Sequence, residues 1–293
     1  MFYLLATILT NTILFALFKL FPRYKIDNLQ AIVANYFTCV IVGSFLLGRF
    51  PVSMESINKP WFGWAILMGI MFFSLFNLIA YRTREDGMTT TTIANKLSLI
   101  IPVMFSSYLY ADVIGVGKIA GILLAFPAIY FTAHANDNGA RNKSHIFPAI
   151  LFVGSGLLDT LVKYVEYNFL ATATDLADYV VHVFFTAGIV GAVVVAVLQL
   201  KNGFKIRGRN LVAGIILGVP NYFSIYFLIK LLHSDFLQSS AAIPVNNIGI
   251  VLLSAITGIF LFKEHATWQR ILGLILSIAS IFLIAFSDIY GRV

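Results

Sequence analysis

The sequence predicts an all-α integral membrane protein, with ten transmembrane helices arranged as two inverted five-helix repeats. Composition is the first observation: of 293 residues, 59% are hydrophobic and 11% are charged, and the mean hydropathy is +0.89. A soluble domain carries about 25% charged residues. A water-soluble enzyme, a nucleic-acid-binding protein and a disordered chain are therefore excluded, and lipid is the expected solvent.

The second observation is a series of apolar segments, each close to the roughly 20 residues that a spanning helix needs. Charged residues, proline, glycine or asparagine bound every segment. The first segment lacks the basic start and the cleavage site of a signal peptide. The predicted spans are 2–21, 29–48, 61–81, 88–110, 115–133, 146–167, 178–200, 209–232, 236–262 and 267–287.

The third observation is a polar linker, residues 137–145, which separates five segments in 1–136 from five in 146–293. Sliding one part over the other aligns several rare residues. A shift of 152 pairs Asp112 with Glu264, Gly121 with Gly273 and Asn95 with Asn247, and a shift of 148 pairs Asn11 with Asp159. Because five is odd, the second repeat must enter the membrane in the opposite orientation, as in many secondary transporters.

One segment carries a motif. Glu264, Thr267 and Gly273 have the spacing of the E-x-x-T-x-x-Q-x-x-G element, which resembles that of EamA-type members of the drug/metabolite transporter superfamily. A weaker version runs from Asp112 to Gly121. The resemblance implies a ten-helix fold of two inverted repeats and substrates among amino acids, nucleobases, vitamins and drugs.

These features together predict a secondary transporter that moves a small polar metabolite across the cytoplasmic (inner) membrane by alternating access. Export or exchange is expected, coupled either to protons or to no ion. The sequence has no nucleotide-binding motif, and we expect no catalytic residue, metal or cofactor. A non-transporting membrane receptor and an intramembrane enzyme are the alternatives.

Ionisable residues inside the predicted spans are the first candidates for substrate binding, because a charge in lipid costs at least about 2.5 kcal/mol. They are Lys96, Asp159, Lys163 and His182. Lys96 and Asp159 are expected to face a central cavity and to bind ionic groups or cycle a proton. The alternatives are a Lys96 that extends to the interface, an Asp159–Lys163 ion pair and a His182 that only packs.

Amides and phenols form the second set, since both groups can recognise a small polar or aromatic solute. An asparagine in a membrane often only joins helices, which is the alternative for each one. The amides and phenols within the predicted spans are those of Asn11, Asn77, Tyr81, Asn95, Asn221, Tyr222, Tyr226, Asn246 and Asn247, and all but Asn246 are candidate binding residues. Glu264 and Asp112 are expected to be structural, each favouring the start of the helix that follows it.

The expected partners are a small-molecule substrate, the lipid bilayer and protons, and no nucleic acid. The chain is expected to be a monomer or a homodimer. Lys and Arg are more numerous in the odd-numbered connections, which places both termini outside by the positive-inside rule, whereas the family resemblance favours termini inside. Cys39 is the only cysteine, so no internal disulfide forms.

Overall fold

A computed structural model describes six ranges of the chain: 1–110, 115–134, 146–170, 172–202, 206–232 and 239–290. Helices account for the regular structure of these residues, and no strand occurs among them. The predicted helical class is therefore confirmed over this part of the chain. Asp112 and the predicted linker 137–145 lie outside the described residues.

The helices follow the predicted segments to within a few residues, except that the fourth segment, 88–110, is divided in two. A short 3₁₀ turn, Met54–Asn58, lies before the third helix. The α-helices are α1 (Phe2–Leu20), α2 (Asn28–Leu47), α3 (Phe62–Glu85), α4 (Met88–Leu97), α5 (Ile100–Tyr110), α6 (Val116–His134), α7 (Ile146–Phe169), α8 (Ala173–Asn202), α9 (Gly208–Leu232), α10 (Ser239–Phe260) and α11 (Trp268–Tyr290).

Among the described residues, six helices are long and apolar enough to cross a membrane, judged by length and composition: α1, α2, α3 and the greater parts of α8, α9 and α10. Large apolar side chains are exposed along one face of several helices. On α6 they recur every three or four residues, at Ile119, Leu123, Phe126 and Tyr130. Because a water-soluble surface rarely carries such continuous apolar ridges, lipid is the solvent that suits them.

The described chain divides into two compact units. Unit 1 comprises residues 1–19, 82–157 and 224–293, and unit 2 comprises residues 20–81 and 158–223. Each unit thus takes elements from both sequence halves. Helices α3, α7 and α9 each contribute several residues to both units, and α1 contributes its last residue, Leu20, to unit 2.

In unit 1, α11 packs along α6 and against α10, and α4 packs against α10 and α6. Buried aliphatic side chains from these helices form its core, including Ile93, Leu97 and Val251. Gly121 permits the close approach of α6 and α11, because a Cβ atom there would lie 2.7 Å from the Ile284 side chain.

In unit 2, α2 packs on α8. Asp27 caps α2, since its carboxylate accepts the Gln30 backbone N–H at 3.0 Å. Such a cap stabilises a helix by about 1 kcal/mol. The core of the unit is aromatic and includes Trp61 and Tyr179.

Two ion pairs hold the first turns of α8, a helix of 30 residues. Arg49 Nη2 lies 2.6 Å from Asp178 Oδ1, and Lys59 Nζ lies 3.3 Å from Asp175 Oδ1. Both cations come from the connection between α2 and α3. The start of α8 is therefore fastened to this connection by charged groups that are partly exposed.

Helices α2 and α9 also touch within unit 2, through glycine. A Cβ atom at Gly214 would lie 2.4 Å from the Ala31 carbonyl oxygen and 2.4 Å from Ala34 Cβ. Both neighbours are parts of a packed helix that cannot move aside independently. The contact therefore requires glycine on α9.

Gly214→Ala is expected to lower the free energy of unfolding by about 1–3 kcal/mol through overpacking, although alanine is the better helix former. Denaturant unfolding of the purified protein in detergent measures the change. Gly63→Ala is the matched control, because Gly63 is also helical and has open space around its Cα. It should be neutral or stabilising by up to about 1 kcal/mol, and equal effects at both positions would contradict the packing argument.

Candidate functional site at a helix break

The helix predicted over 88–110 is wrong in one respect: it is interrupted at Ser98 and Leu99, between α4 and α5. Pro102 explains the interruption, because proline has no N–H to donate to the carbonyl four residues earlier. The Ser98 carbonyl accepts the Ile101 N–H instead, at 2.9 Å. The Ser98 hydroxyl in turn donates to the Asn95 carbonyl at 2.5 Å. This bond satisfies one of the carbonyl groups at the end of α4 that have no partner within the helix.

Helix α7 packs against the break within unit 1. The Asn95 amide donates from Nδ2 to Ser155 Oγ at 2.9 Å. The next residue is Gly156, where a Cβ atom would lie 2.8 Å from the Ser98 carbonyl oxygen and 2.5 Å from Ile101 Cδ1. The pattern of the sequence did not single out Ser155 as a partner, since a serine next to a glycine in an apolar helix is usually a packing residue.

Lys96 lies in the last turn of α4 and is half-buried. It was expected in the interior of a long helix, but the helix ends one residue after it. The ammonium group therefore belongs to the negative end of a helix dipole, where a cation is favoured. Asn95, Lys96 and Ser98 place an amide, a cation and a hydroxyl at one interruption of a helix.

Helix α10, which packs against α4, contributes two buried amides. They belong to Asn246 and Asn247, which are 3% and 7% exposed. Asn246 Oδ1 has no hydrogen-bond partner among the described residues. An unpaired acceptor in an apolar interior costs free energy, so it is a candidate to meet a ligand.

The other two predicted residues of unit 1 make contacts within their own helices. Asn11 Nδ2 donates to the Thr7 carbonyl at 2.9 Å. The Tyr226 ring lies 5.7 Å from Lys230 Nζ. These contacts favour a packing role for both residues.

In unit 2, Asn221 joins α9 to α2. Its Nδ2 donates to Asn35 Oδ1 at 3.1 Å, and the Cys39 thiol donates to the Gly218 carbonyl at 3.4 Å. Asn35, Cys39 and Asn221 are all buried. This is the helix-joining arrangement that the sequence left open as the alternative for each asparagine. Tyr222 is also buried in this unit.

His182 lies in an aromatic environment in unit 2 and is 2% exposed. Its Nδ1 lies 2.7 Å from the Asp178 carbonyl oxygen, which can only accept, so Nδ1 carries the proton of the neutral ring. Its ring centroid lies 4.9 Å from that of Trp61. Nε2 has no hydrogen-bond partner among the described residues, and the contacts of the ring favour the packing alternative.

The remaining predicted residues of unit 2 are spread over α3 and α7. Asn77 Nδ2 donates to the Phe73 carbonyl at 2.7 Å, within α3. Tyr81 is 47% exposed. Asp159 and Lys163 are exposed on α7, one turn apart.

Glu264 has a role that the sequence did not predict. Its carboxylate was expected to favour the start of the next helix, α11, but Thr267 does this by accepting the Arg270 N–H at 3.3 Å. The Glu264 carboxylate instead accepts the Met88 N–H at 2.5 Å, the Thr89 N–H at 3.3 Å and the Thr89 hydroxyl at 3.0 Å. The prediction that Glu264 favours the start of α11 is therefore wrong, because its carboxylate caps the start of α4.

Comparison with known proteins gives the fold but no activity. No family profile matches the chain. An uncharacterized protein of Haemophilus influenzae is 27% identical over 296 residues, covering 97% of this chain and 98% of that one. A crystal structure of another protein, 11% identical, superposes with a TM-score of 0.59 over 98% of this chain and 99% of that chain, which shows similarity of fold alone.

The hydrogen bond between Asn95 and Ser155 should contribute measurably to stability. In a double-mutant cycle of Asn95→Ala and Ser155→Ala, we expect a coupling of about 0.5–1.5 kcal/mol, the range for hydrogen bonds between membrane helices. Denaturant unfolding of the four proteins in detergent measures it. Asn77→Ala with Ser155→Ala is the control pair, because Asn77 bonds within its own helix, and strictly additive effects in the first cycle would refute the contact.

Proposed function

We propose that this protein is a secondary transporter that moves a small polar metabolite across the cytoplasmic membrane by alternating access. The break between α4 and α5 carries the proposal. Transporters with inverted repeats commonly bind substrate at interrupted helices, where backbone and polar side chains are freed for a ligand. Here Asn95, Lys96 and Ser98 lie at the interruption. The chain also has long apolar helices.

The packing of the helices supports the proposed repeats, 1–136 and 146–293. Helices α2 and α8 are the second elements of their repeats, and they pack on each other. So do α6 and α11, the fifth elements, and α4 and α10, which belong to the fourth. Packing between corresponding elements is expected where a pseudo-two-fold axis relates two inverted repeats. Ten spans and membership of the EamA type form part of this proposal.

Two charged residues are the proposed transport residues. Lys96 lies at the break, and Asp159 lies in the middle of α7. Polar and ionisable groups in a membrane protein usually line the pathway of the substrate, because lipid does not solvate them. Asp159 is also the proposed proton carrier, since it is an exposed carboxylate.

Lys96→Ala and Asp159→Asn are each expected to reduce substrate flux about tenfold or more, because a hydrogen bond to a charged group contributes about 1.5–3 kcal/mol and about 1.4 kcal/mol is a factor of ten. Flux is measured in proteoliposomes with a panel of radiolabelled amino acids, nucleobases and vitamins. The wild-type protein identifies the transported solute first, and both variants are then compared with it at equal protein density.

Glu166→Gln and Lys25→Ala are the controls, because both residues are exposed and lie outside the proposed site. They should keep wild-type flux. Wild-type flux in both Lys96→Ala and Asp159→Asn would remove these residues from the mechanism. Saturable binding of a solute without flux would instead favour the receptor alternative.

Proton coupling can be assigned by the pH dependence of the same flux. Asp159→Asn should abolish the pH dependence, because an amide does not titrate in this range. His182→Asn should leave it unchanged, since the imidazole is packed against Trp61 and bonded to Asp178. The reverse result would transfer the role of proton carrier to His182.

A further inference from the structure

Helix α4 does not cap its own first turn. Gly87 occupies the N-cap position with φ +97 and has no side chain with which to accept an N–H. The first N–H groups of a helix have no partner within it and must find one elsewhere. For α4, the acceptor is the carboxylate of Glu264, which lies 176 residues from Met88 in the sequence.

The Glu264 carboxylate packs closely against two glycines, Gly87 and Gly258. A Cβ atom at Gly87 would lie 2.7 Å from Glu264 Oε1, and one at Gly258 would lie 2.8 Å from Glu264 Oε2. Any larger residue at either position would displace the carboxylate or the start of α4. The two glycines therefore leave room for one side chain, that of Glu264.

The charge of Glu264 is balanced on two sides. The Lys19 ammonium, in the last turn of α1, lies 3.4 Å from Glu264 Oε1. The positive end of the α4 dipole faces the same carboxylate. The Glu264 side chain is only 5% exposed, so these interactions are weakened little by water.

The other end of α4 lies at the break. With ten residues, the helix is about 15 Å long. Because no continuous helix joins it to α5, its position depends on side-chain packing and on the cap at its first turn. A displacement of that first turn would be carried along the helix to Asn95 and Lys96.

We propose that Glu264 is a positioning residue, which fixes α4 and thereby sets the geometry of the polar groups at the helix break. Lys19 stabilises Glu264 as the charged acceptor and links α1 to the same point. The link to substrate binding rests on the proposed transport function, whereas the control of α4 by Glu264 does not. The two parts can therefore be tested separately.

The position of α4 can be followed with a single cysteine at the break. In a Cys39→Ser background, which removes the native cysteine, Leu99→Cys reports on the break and Ile122→Cys reports on the core of unit 1. Both native side chains are partly buried in the same apolar cluster. The probe is methanethiosulfonate ethylammonium, and the readout is the rate of thiol modification in detergent.

Glu264→Gln should raise the modification rate at Leu99→Cys about fivefold, the factor expected for the loss of a helix N-cap, and leave the rate at Ile122→Cys unchanged. Glu85→Gln is the matched control, because it removes an exposed carboxylate just before α4 and should alter neither rate. An unchanged rate at Leu99→Cys, or equal increases at both reporters, would overturn the positioning role.

The functional consequence is measured with the solute that the wild-type protein transports. Glu264→Gln should raise the KM for flux at equal protein density, with Glu85→Gln unchanged. A faster modification of Leu99→Cys with an unaltered KM would overturn the link to substrate binding while leaving the control of α4 intact. If the wild-type protein transports no solute of the panel, the proposed transport function fails, and the modification rates still decide the role of Glu264.

Discussion

The backbone of a helix must have its hydrogen bonds satisfied inside the protein wherever water is excluded, and this requirement shapes unit 1. Continuous helices meet it along their length, so the costly points are helix ends. Helix α4 has only ten residues, and both of its ends lie close to the apolar core of unit 1. The Glu264 carboxylate satisfies the first, and the Ser98 hydroxyl and a tight turn before Pro102 satisfy part of the second. Polar side chains of the candidate site lie at these ends, where backbone groups of α4 have no partner within the helix.

The length of the apolar segments predicted nearly all helix positions, because an apolar run of about 20 residues bounded by polar residues is a strong signal. The division of 88–110 was not predicted, although Pro102 was visible. Proline near the start of a helix is favourable and in its interior is disruptive, so its effect depends on where the helix begins. That position is determined by the contacts of α4, which involve residues distant in the sequence.

The sequence predicted which polar residues belong to the candidate site, but not the contacts that they make. Asn95 and Lys96 were identified because polar groups are rare in such helices, yet the pattern could not relate Asn95 to its hydrogen-bond partner Ser155, which lies 60 residues away. The motif at Glu264 was recognised, but its target helix was misassigned. Sequence proximity favoured α11, whereas geometry gives the carboxylate to α4. Long-range pairing of this kind leaves no local trace in a single chain.

Helix α8 has a further consequence for how the protein fits its bilayer. Thirty residues give a rod of about 45 Å, whereas the hydrocarbon layer is about 30 Å thick. If α8 crosses a bilayer, the surplus of about 15 Å, nearly three turns, extends into the headgroup region. Its first turns bear Asp175 and Asp178, paired with Lys59 and Arg49. In a bilayer-spanning α8, a role its length and composition allow, these charged pairs would lie at the level of the phosphates and would keep the hydrophobic part of the helix aligned with the acyl chains.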